Sequence, residues 1–153
     1  MLTHDIRPIA AADARPLRHE ILRPHQPIEA CIYPCDDAPD SFHVGAFLND
    51  QLVGVATIFR EPFPDEPNPN AWRLRGMTTL PQVRRMGYGA SLVRACIAHV
   101  AAHNGDLIWC NGRTSALSFY RALGFREHGD EYESPAGTGP HYLLRRDVSP
   151  SDR

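Results

Sequence analysis

The stretch LRGMTTLPQVRRMGYGASLV, residues 74–93, decides the fold. Its first part belongs to a strand pattern over 72–80, and residues 89–103 place apolar side chains at helical spacing. Between these segments, residues 84–89 form the glycine-bearing turn RRMGYG. The first N–H groups of a helix lack helical acceptors, and glycine lets a ligand approach the main chain. The stretch therefore predicts a strand, a diphosphate-binding turn and a helix.

The turn does not match two other phosphate-binding patterns. The loop G-x-x-x-x-G-K-[ST] needs a lysine, and the chain contains none. The dinucleotide pattern G-x-G-x-x-G needs a glycine three residues after Gly89, where the sequence has Leu92. The remaining pattern, R-x-x-G-x-G, lies in a basic part of the chain, because residues 67–105 contain five arginines and no acid.

Charge is unevenly distributed along the chain, although the formal net charge is only −2. Residues 29–66 contain eight acids and a single arginine, so this stretch can attract a cation while the basic stretch binds an anion. The overall acidity, with the arginines around the turn, argues against a nucleic-acid partner. No apolar run of about 18 residues could cross a membrane, so we expect no membrane partner.

The whole chain of 153 residues is long enough for one core, and we expect one domain over 1–148 with a frayed tail at 149–153. Helical spacing occurs at 11–22, 89–103 and 115–123, and Pro16 suggests that the first helix starts late. The strand patterns lie at 6–9, 42–48, 51–59, 72–80, 107–110, 125–132 and 141–146. These patterns predict an α/β (α+β mixed) fold, with a central, mostly antiparallel mixed sheet of six to seven strands flanked by helices.

The four cysteines show neither a C-x-x-C pair nor zinc spacing, so we expect reduced thiols, no metal and a cytoplasmic location. The N-terminal residues carry acids and arginines where a secretory signal needs an apolar segment. We therefore expect no export.

Three segments together resemble the GNAT superfamily of acyl-CoA-dependent N-acetyltransferases. Residues 74–93 are similar to the family's strand, loop and helix with its Q/R-x-x-G-x-G/A signature, which begins here at Arg84. Residues 116–125, ALSFYRALGF, resemble the family's A-x-x-F-Y-x-x-x-G-F segment. The hairpin that ends in LVGVA, residues 52–56, is a less specific third match. The resemblance covers most of the chain and implies a single-domain GNAT-like fold and an acyltransferase that uses acetyl-CoA.

The resemblance also implies a cofactor site. The backbone of residues 84–90 would hold the diphosphate, and residues 77–79 would hydrogen-bond the pantetheine arm and polarise the thioester carbonyl. A bulge at Gly76 is compatible with the last role, because it can leave N–H donors unpaired. Tyr120 matches the family's general acid, and either Asn111 or Arg113 could face the cofactor. The implied cofactor-binding residues are Met77, Thr78, Thr79, Arg84, Arg85, Met86, Gly87, Tyr88, Gly89, Ala90, Asn111, Arg113 and Tyr120.

The general base is less well defined, because the strand that often carries a glutamate in the family has Arg73 and Arg75 here. Candidates for accepting the amine proton include a water chain and four side chains: Glu61, Glu133, His43 and His141. The acidic stretch, in particular Asp36, Asp37 and Asp40, suggests a small or cationic amine or a peptide amine as acceptor. A regulatory module that binds acyl-CoA without turnover is the alternative, and homodimerisation is open.

Overall fold

Seven strands form the sheet of this computed structural model, which describes residues 4–153. The strand order is β1-β2-β3-β4-β5-β7-β6. The strands are β1 (Asp5–Pro8), β2 (Phe42–Leu48), β3 (Gln51–Arg60), β4 (Ala71–Thr79), β5 (Leu107–Arg113), β6 (Arg126–Glu133) and β7 (Pro140–Asp147). Among the described residues the α-helices are α1 (Ala11–Leu17), α2 (Tyr88–Ala102) and α3 (Leu117–Ala122). The predicted mixed α/β class and strand number are confirmed.

The residues group into two compact units. The first, called the N-terminal unit, comprises the described residues up to Phe59 together with Leu74–Cys96. Within it, β1 pairs with β2 and β2 with β3, both antiparallel. The turn between β2 and β3 has φ of 51° at Asn49 and 63° at Asp50, the left-handed conformation that a two-residue hairpin turn requires. The hairpin predicted over 42–59 is therefore present.

The second, called the C-terminal unit, comprises Arg60–Arg73 and Ile97–Arg153. Here the first residues of β4 pair in parallel with β5, while β5 with β7 and β7 with β6 pair antiparallel. Its core contains a cluster of Phe63, Ala71, Leu107 and Trp109, all nearly inaccessible to solvent. The ring of Phe63 anchors the proline-rich segment after β3 by packing edge-on against Trp109.

Three elements differ from the sequence prediction. Helix α1 begins at Ala11 in spite of Pro16, because Asp13 accepts a hydrogen bond from the Ala10 N–H at 3.1 Å, and the chain continues as a π-helical turn (Arg18–Leu22). A 3-10 turn (Thr114–Ala116) precedes α3, which is shorter than predicted. The tail forms another 3-10 turn (Pro150–Asp152), which an ion pair between Asp152 and Arg146 ties to β7.

Candidate functional site

The predicted diphosphate turn lies between a 3-10 turn (Pro81–Val83) and α2. The first i to i−4 bond of the helix runs from Ser91 N to Gly87 O at 3.1 Å, so the N–H groups of Tyr88, Gly89 and Ala90 have no acceptor inside the helix. The amides of Arg84 and Met86, by contrast, bond to the carbonyls of Pro81 and Val83. Of the amides that the resemblance implies, those at the helix start are therefore the better placed donors.

The conformation of the turn explains its glycine. Gly87 has φ of 87°, and a Cβ at that position would lie 2.8 Å from His4 Cε1. Arg85 also has a positive φ, 66°, which is uncommon for a residue with a side chain and occurs often at functional sites. The Arg84 and Arg85 side chains are exposed, so a phosphate could reach them.

His4 packs against this turn, and the sequence patterns did not predict that contact. Its Nδ1 lies 2.6 Å from the Ser91 hydroxyl, and its ring packs against that of Tyr88 at 4.2 Å between centroids, with the two planes tilted by 36°. These contacts join His4, the residue just before β1, to the first turn of α2. No motif marks a histidine so far away along the chain, so sequence reasoning had no signal for it.

Strand β4 supplies the predicted pantetheine partners. Gly76 has φ of 65°, which locally breaks the extended conformation before Met77, Thr78 and Thr79. The Thr78 carbonyl packs near Gly54 of β3, where a Cβ would come within 3.2 Å of it. The kink at the predicted bulge position is thus present in the backbone.

A buried ion pair lies behind this kink. Arg18 donates from Nη1 and Nη2 to the two carboxylate oxygens of Asp36 at 2.8 and 3.0 Å, and both side chains are fully buried. Asp36 is therefore not a surface residue that could steer a cationic acceptor, as the acidic stretch had suggested. Burial raises the pKa of Asp36, but the hydrogen bonds from Arg18 and the Tyr33 amide outweigh it, and the pKa lies below its ordinary value.

His43 belongs to the same buried network and is a poor candidate for the general base. Its Nδ1 lies 2.7 Å from the Thr57 hydroxyl, and its Nε2 lies 3.0 Å from the Asp36 carbonyl oxygen. Both ring nitrogens are thus engaged inside the protein, so His43 holds the structure together.

Tyr120 lies in the C-terminal unit, buried in α3 with its ring edge-on to Phe119 and Phe125. It hydrogen-bonds to the Cys110 thiol of β5. Burial raises the pKa of that thiol to about 12, although the bond from Tyr120 opposes the shift, so Cys110 stays protonated. A phenol held in this way can donate its proton only after exchanging partners.

Asn111 and Arg113, the alternative cofactor contacts, share one face of β5. Side chains alternate along a strand, and the Cys110 and Gly112 positions of β5 contact Tyr120, so Asn111 and Arg113 project from the opposite face. The Asn111 side-chain oxygen accepts a 2.5 Å hydrogen bond from the Tyr132 hydroxyl. Both candidates for the cofactor contact therefore lie on the same face of β5, so the face of the strand does not distinguish between them.

His141 joins the Asn111 face, because it pairs in register with Arg113 on one side and with Tyr132 on the other. The imidazole is buried, and its Nδ1 lies 2.8 Å from the Gly139 carbonyl oxygen. An Nδ1–H that donates to this carbonyl leaves Nε2 as the basic nitrogen. A histidine that donates from Nδ1 in this way can accept a proton at Nε2.

Glu61, another of the predicted base candidates, forms an ion pair with Arg73. Its Oε2 accepts a 3.0 Å hydrogen bond from Arg73 Nη1, and the Arg73 guanidinium also lies over the Trp109 ring at 5.1 Å. Glu133, the remaining candidate, is exposed at the end of β6.

The structure adds three findings about other predicted features. All four cysteines are free thiols. Within residues 4–153, no three or more metal-binding side chains come together in a group that could hold an ion. In the same described part of the chain, no helix is long and apolar enough to cross a membrane.

Comparison with known proteins defines the class. Residues 5–125 match the family described as Acetyltransferase (GNAT) family. The chain is 34% identical over 147 residues to the uncharacterized N-acetyltransferase YitI of Bacillus subtilis, covering 96% of this chain and 98% of that protein. The chain belongs to the GNAT acetyltransferase family, and it is an acyltransferase enzyme. Members of this family use acetyl-CoA.

Solved structures show the same fold at low sequence identity. A putative N-acetyltransferase from Lactobacillus plantarum aligns with a TM-score of 0.75 and 17% identity, over 96% of this chain and 99% of that one. An aminoglycoside 6'-N-acetyltransferase complexed with coenzyme A aligns with a TM-score of 0.71 and 15% identity, over 94% and 96% of the two chains. The predicted GNAT-like fold is confirmed.

Proposed function

We propose that residues 1–148 act as one N-acetyltransferase domain that transfers the acetyl group of acetyl-CoA directly to a primary amine. The observation that carries the proposal is the start of α2, where the N–H groups of Tyr88, Gly89 and Ala90 lack helical acceptors beside two exposed arginines. Donors of this kind, with the positive end of the helix dipole, suit a diphosphate. The fold neighbour that was solved with coenzyme A supports this cofactor.

By the family resemblance, candidate cofactor contacts are present in each unit. The turn at 84–90 would hold the diphosphate, the backbone of Met77, Thr78 and Thr79 would hydrogen-bond the pantetheine arm, and Asn111 or Arg113 would add a contact. The amides that follow the Gly76 kink would stabilise negative charge on the thioester oxygen. Acetyl-CoA supplies the activated acyl group, and no metal is required.

Two proton transfers complete the reaction. Tyr120 would donate its proton to the leaving thiolate, because a phenolate and a thiolate have similar basicity. The amine must lose a proton as it attacks, and His141 through Nε2 is our first candidate for accepting it, since its Nδ1 already faces the Gly139 carbonyl. Glu61 acting through water is the second candidate, because its carboxylate already forms an ion pair with Arg73.

The acceptor is a small or cationic amine or a peptide amine in this proposal. The supporting observation is the acidic stretch over 29–66, in which Asp37 is exposed while Asp36 is not available. The cytoplasmic location and a possible homodimer stay predictions.

The test is an acetyl-CoA-dependent thiol-release assay with a mixed panel of amines, run on three chains. For wild type we expect release with at least one amine. Gly87→Ala should raise the KM for acetyl-CoA roughly tenfold, because a Cβ at φ of 87° strains the turn and meets His4. Tyr120→Phe should lower kcat about 100-fold and preserve the KM for acetyl-CoA.

Each outcome has a clear meaning. Tight acetyl-CoA binding without thiol release for any amine would support the regulatory module instead of the enzyme. An unchanged rate in Tyr120→Phe would show that Tyr120 has only a packing role, as a buried residue of α3. Unchanged acetyl-CoA binding in a folded Gly87→Ala chain would show that the diphosphate does not bind at this turn.

A further inference from the structure

The Arg18 side chain is buried completely in the N-terminal unit. Besides its two bonds to Asp36, the guanidinium donates to the Cys31 carbonyl at 2.9 Å and to the Thr57 hydroxyl at 2.8 Å. Its carbon Cζ also lies 4.1 Å from the centre of the Tyr33 ring. Both terminal nitrogens are thus fully occupied, and the guanidinium has one orientation.

The remaining nitrogen of Arg18 faces strand β4. Nε is buried and has no hydrogen-bond partner among the described residues. A Cβ at Gly76 would lie 3.1 Å from this Nε and 3.0 Å from Cε2 of Tyr33. Gly76 is the residue with φ of 65°, so the kink in β4 rests directly on the Arg18 and Tyr33 side chains.

The ion pair therefore has a direction. The carboxylate of Asp36 lies on the side of the terminal nitrogens, while Nε points toward the kink. The positive end of this buried dipole thus lies next to Gly76. In a low-dielectric interior, a fixed dipole of this orientation favours negative charge on its positive side without any reorganisation.

We propose that Arg18 is a positioning residue for acetyl transfer, which holds the Gly76 kink and turns its own positive end toward the amides of Met77 and Thr78. The inference rests on the proposed function, because those amides matter only if the thioester lies against them. Arg18 does not touch acetyl-CoA in this proposal. It acts by fixing the direction and the electrostatic potential of the β4 backbone.

The nature of the side chain supports this role over a purely structural one. Well-packed apolar residues can replace a buried ion pair with little loss of stability, so the stability of the fold alone does not require Arg18 and Asp36. The π-helical turn that begins at Arg18 is a rare element, and such turns are frequent at functional sites. A lysine could keep the charge but could not bond Asp36, Thr57 and the Cys31 carbonyl with one planar group.

The experiment compares Arg18→Lys with a matched pair at Thr57. Thr57→Val removes the hydroxyl that receives Arg18 Nη2 and also contacts His43 Nδ1, whereas Thr57→Ser retains both contacts. The kinetic readout is thiol release with the amine that reacts fastest with wild type. The binding readout is titration calorimetry with acetyl-CoA and with coenzyme A, because only the first carries the thioester carbonyl. Circular dichroism and thermal unfolding establish which chains are folded.

We expect Arg18→Lys to lower kcat roughly tenfold or more, with a smaller rise, of a few-fold, in the KM for acetyl-CoA. Thr57→Val should lose several-fold in kcat and Thr57→Ser almost nothing. In both deficient variants, the affinity for acetyl-CoA should fall relative to that for coenzyme A. An unchanged kcat, or an equal loss of affinity for both ligands, would overturn the positioning role.

The two proposals fail differently. If wild type releases no thiol with any amine, the proposed acetyltransferase activity fails, and the ratio of the two affinities still tests Arg18. If wild type is active and the folded variants match it, only the role of Arg18 fails. Should Arg18→Lys not fold, the Thr57 pair decides, because Val and Thr have nearly the same shape.

Discussion

Replacing Asp36 with alanine should destabilise the protein far more than the same change at its neighbour Asp37. In the structure both Asp36 oxygens accept bonds from Arg18, and one also accepts the Tyr33 amide at 3.1 Å. Without the carboxylate, the Arg18 charge stays buried with no partner. Removing one member of a buried pair costs about 3 to 5 kcal/mol. For a chain of this length that corresponds to a fall in Tm of roughly 10 °C.

Thermal unfolding by circular dichroism measures the difference at neutral pH, with Asp37→Ala as the control because Asp37 is exposed. The double change Arg18→Met with Asp36→Leu should recover much of the lost stability, since it removes both charges. A Tm of Asp36→Ala within about 3 °C of the Asp37→Ala value would refute the reasoning, because it corresponds to only about 1 kcal/mol.

The same pair fixes the direction of a pH effect. The pKa of Asp36 lies below its model-peptide value of 3.8, because the bonds from Arg18 outweigh burial. The folded chain therefore keeps the carboxylate charged at a pH where the unfolded chain has begun to protonate it. Stability from this group is present above pH 3.8 and is lost as pH falls through the folded-state pKa.

Two further predictions concern the C-terminal unit. Phe63→Ala should cost about 3 to 5 kcal/mol in urea denaturation, because its ring is 2% exposed against Trp109, and a loss below about 1 kcal/mol would contradict that packing. Burial, aided by the charge of nearby His103, lowers the pKa of His99 to about 4 from 6.5. As pH falls, the unfolded chain therefore binds a proton at His99 at a higher pH than the folded chain does, and the stability of the fold should decrease between pH 6.5 and 4. His99→Gln should flatten that decrease, and an unchanged slope of stability against pH would argue against this role of His99.

The sequence was most informative where local chemistry determines structure. The turn before α2 needs a glycine at position 87 for a positive φ, and the pattern of glycines shows this directly. The hairpin turn at Asn49 and Asp50 is equally local. Pro16 misled the prediction, because it lies near the end of α1 and leaves the start of the helix unaffected, where the acid at position 13 caps the first turn.

Contacts between distant segments could not be predicted. His4 reaches the first turn of α2 over more than 80 positions, and nothing in its local sequence distinguishes it from the other histidines. The sequence could have predicted that Asn111 and Arg113 share a face of β5, because side chains alternate along a strand. The contact with Tyr120 then shows which face that is, and it depends on how α3 packs.

The acidic stretch shows why a charge count along the chain overestimates the field at the surface. At least four of its eight acids form ion pairs with arginines that lie elsewhere in the sequence: Asp36, Asp50, Glu61 and Glu66. A paired carboxylate contributes a short-range dipole, whose attraction for a distant cation decays faster than that of a single charge. Steering of a cationic amine therefore cannot rest on all eight acids. Consequently, the salt dependence of kcat/KM should be shallower than eight free acids would give.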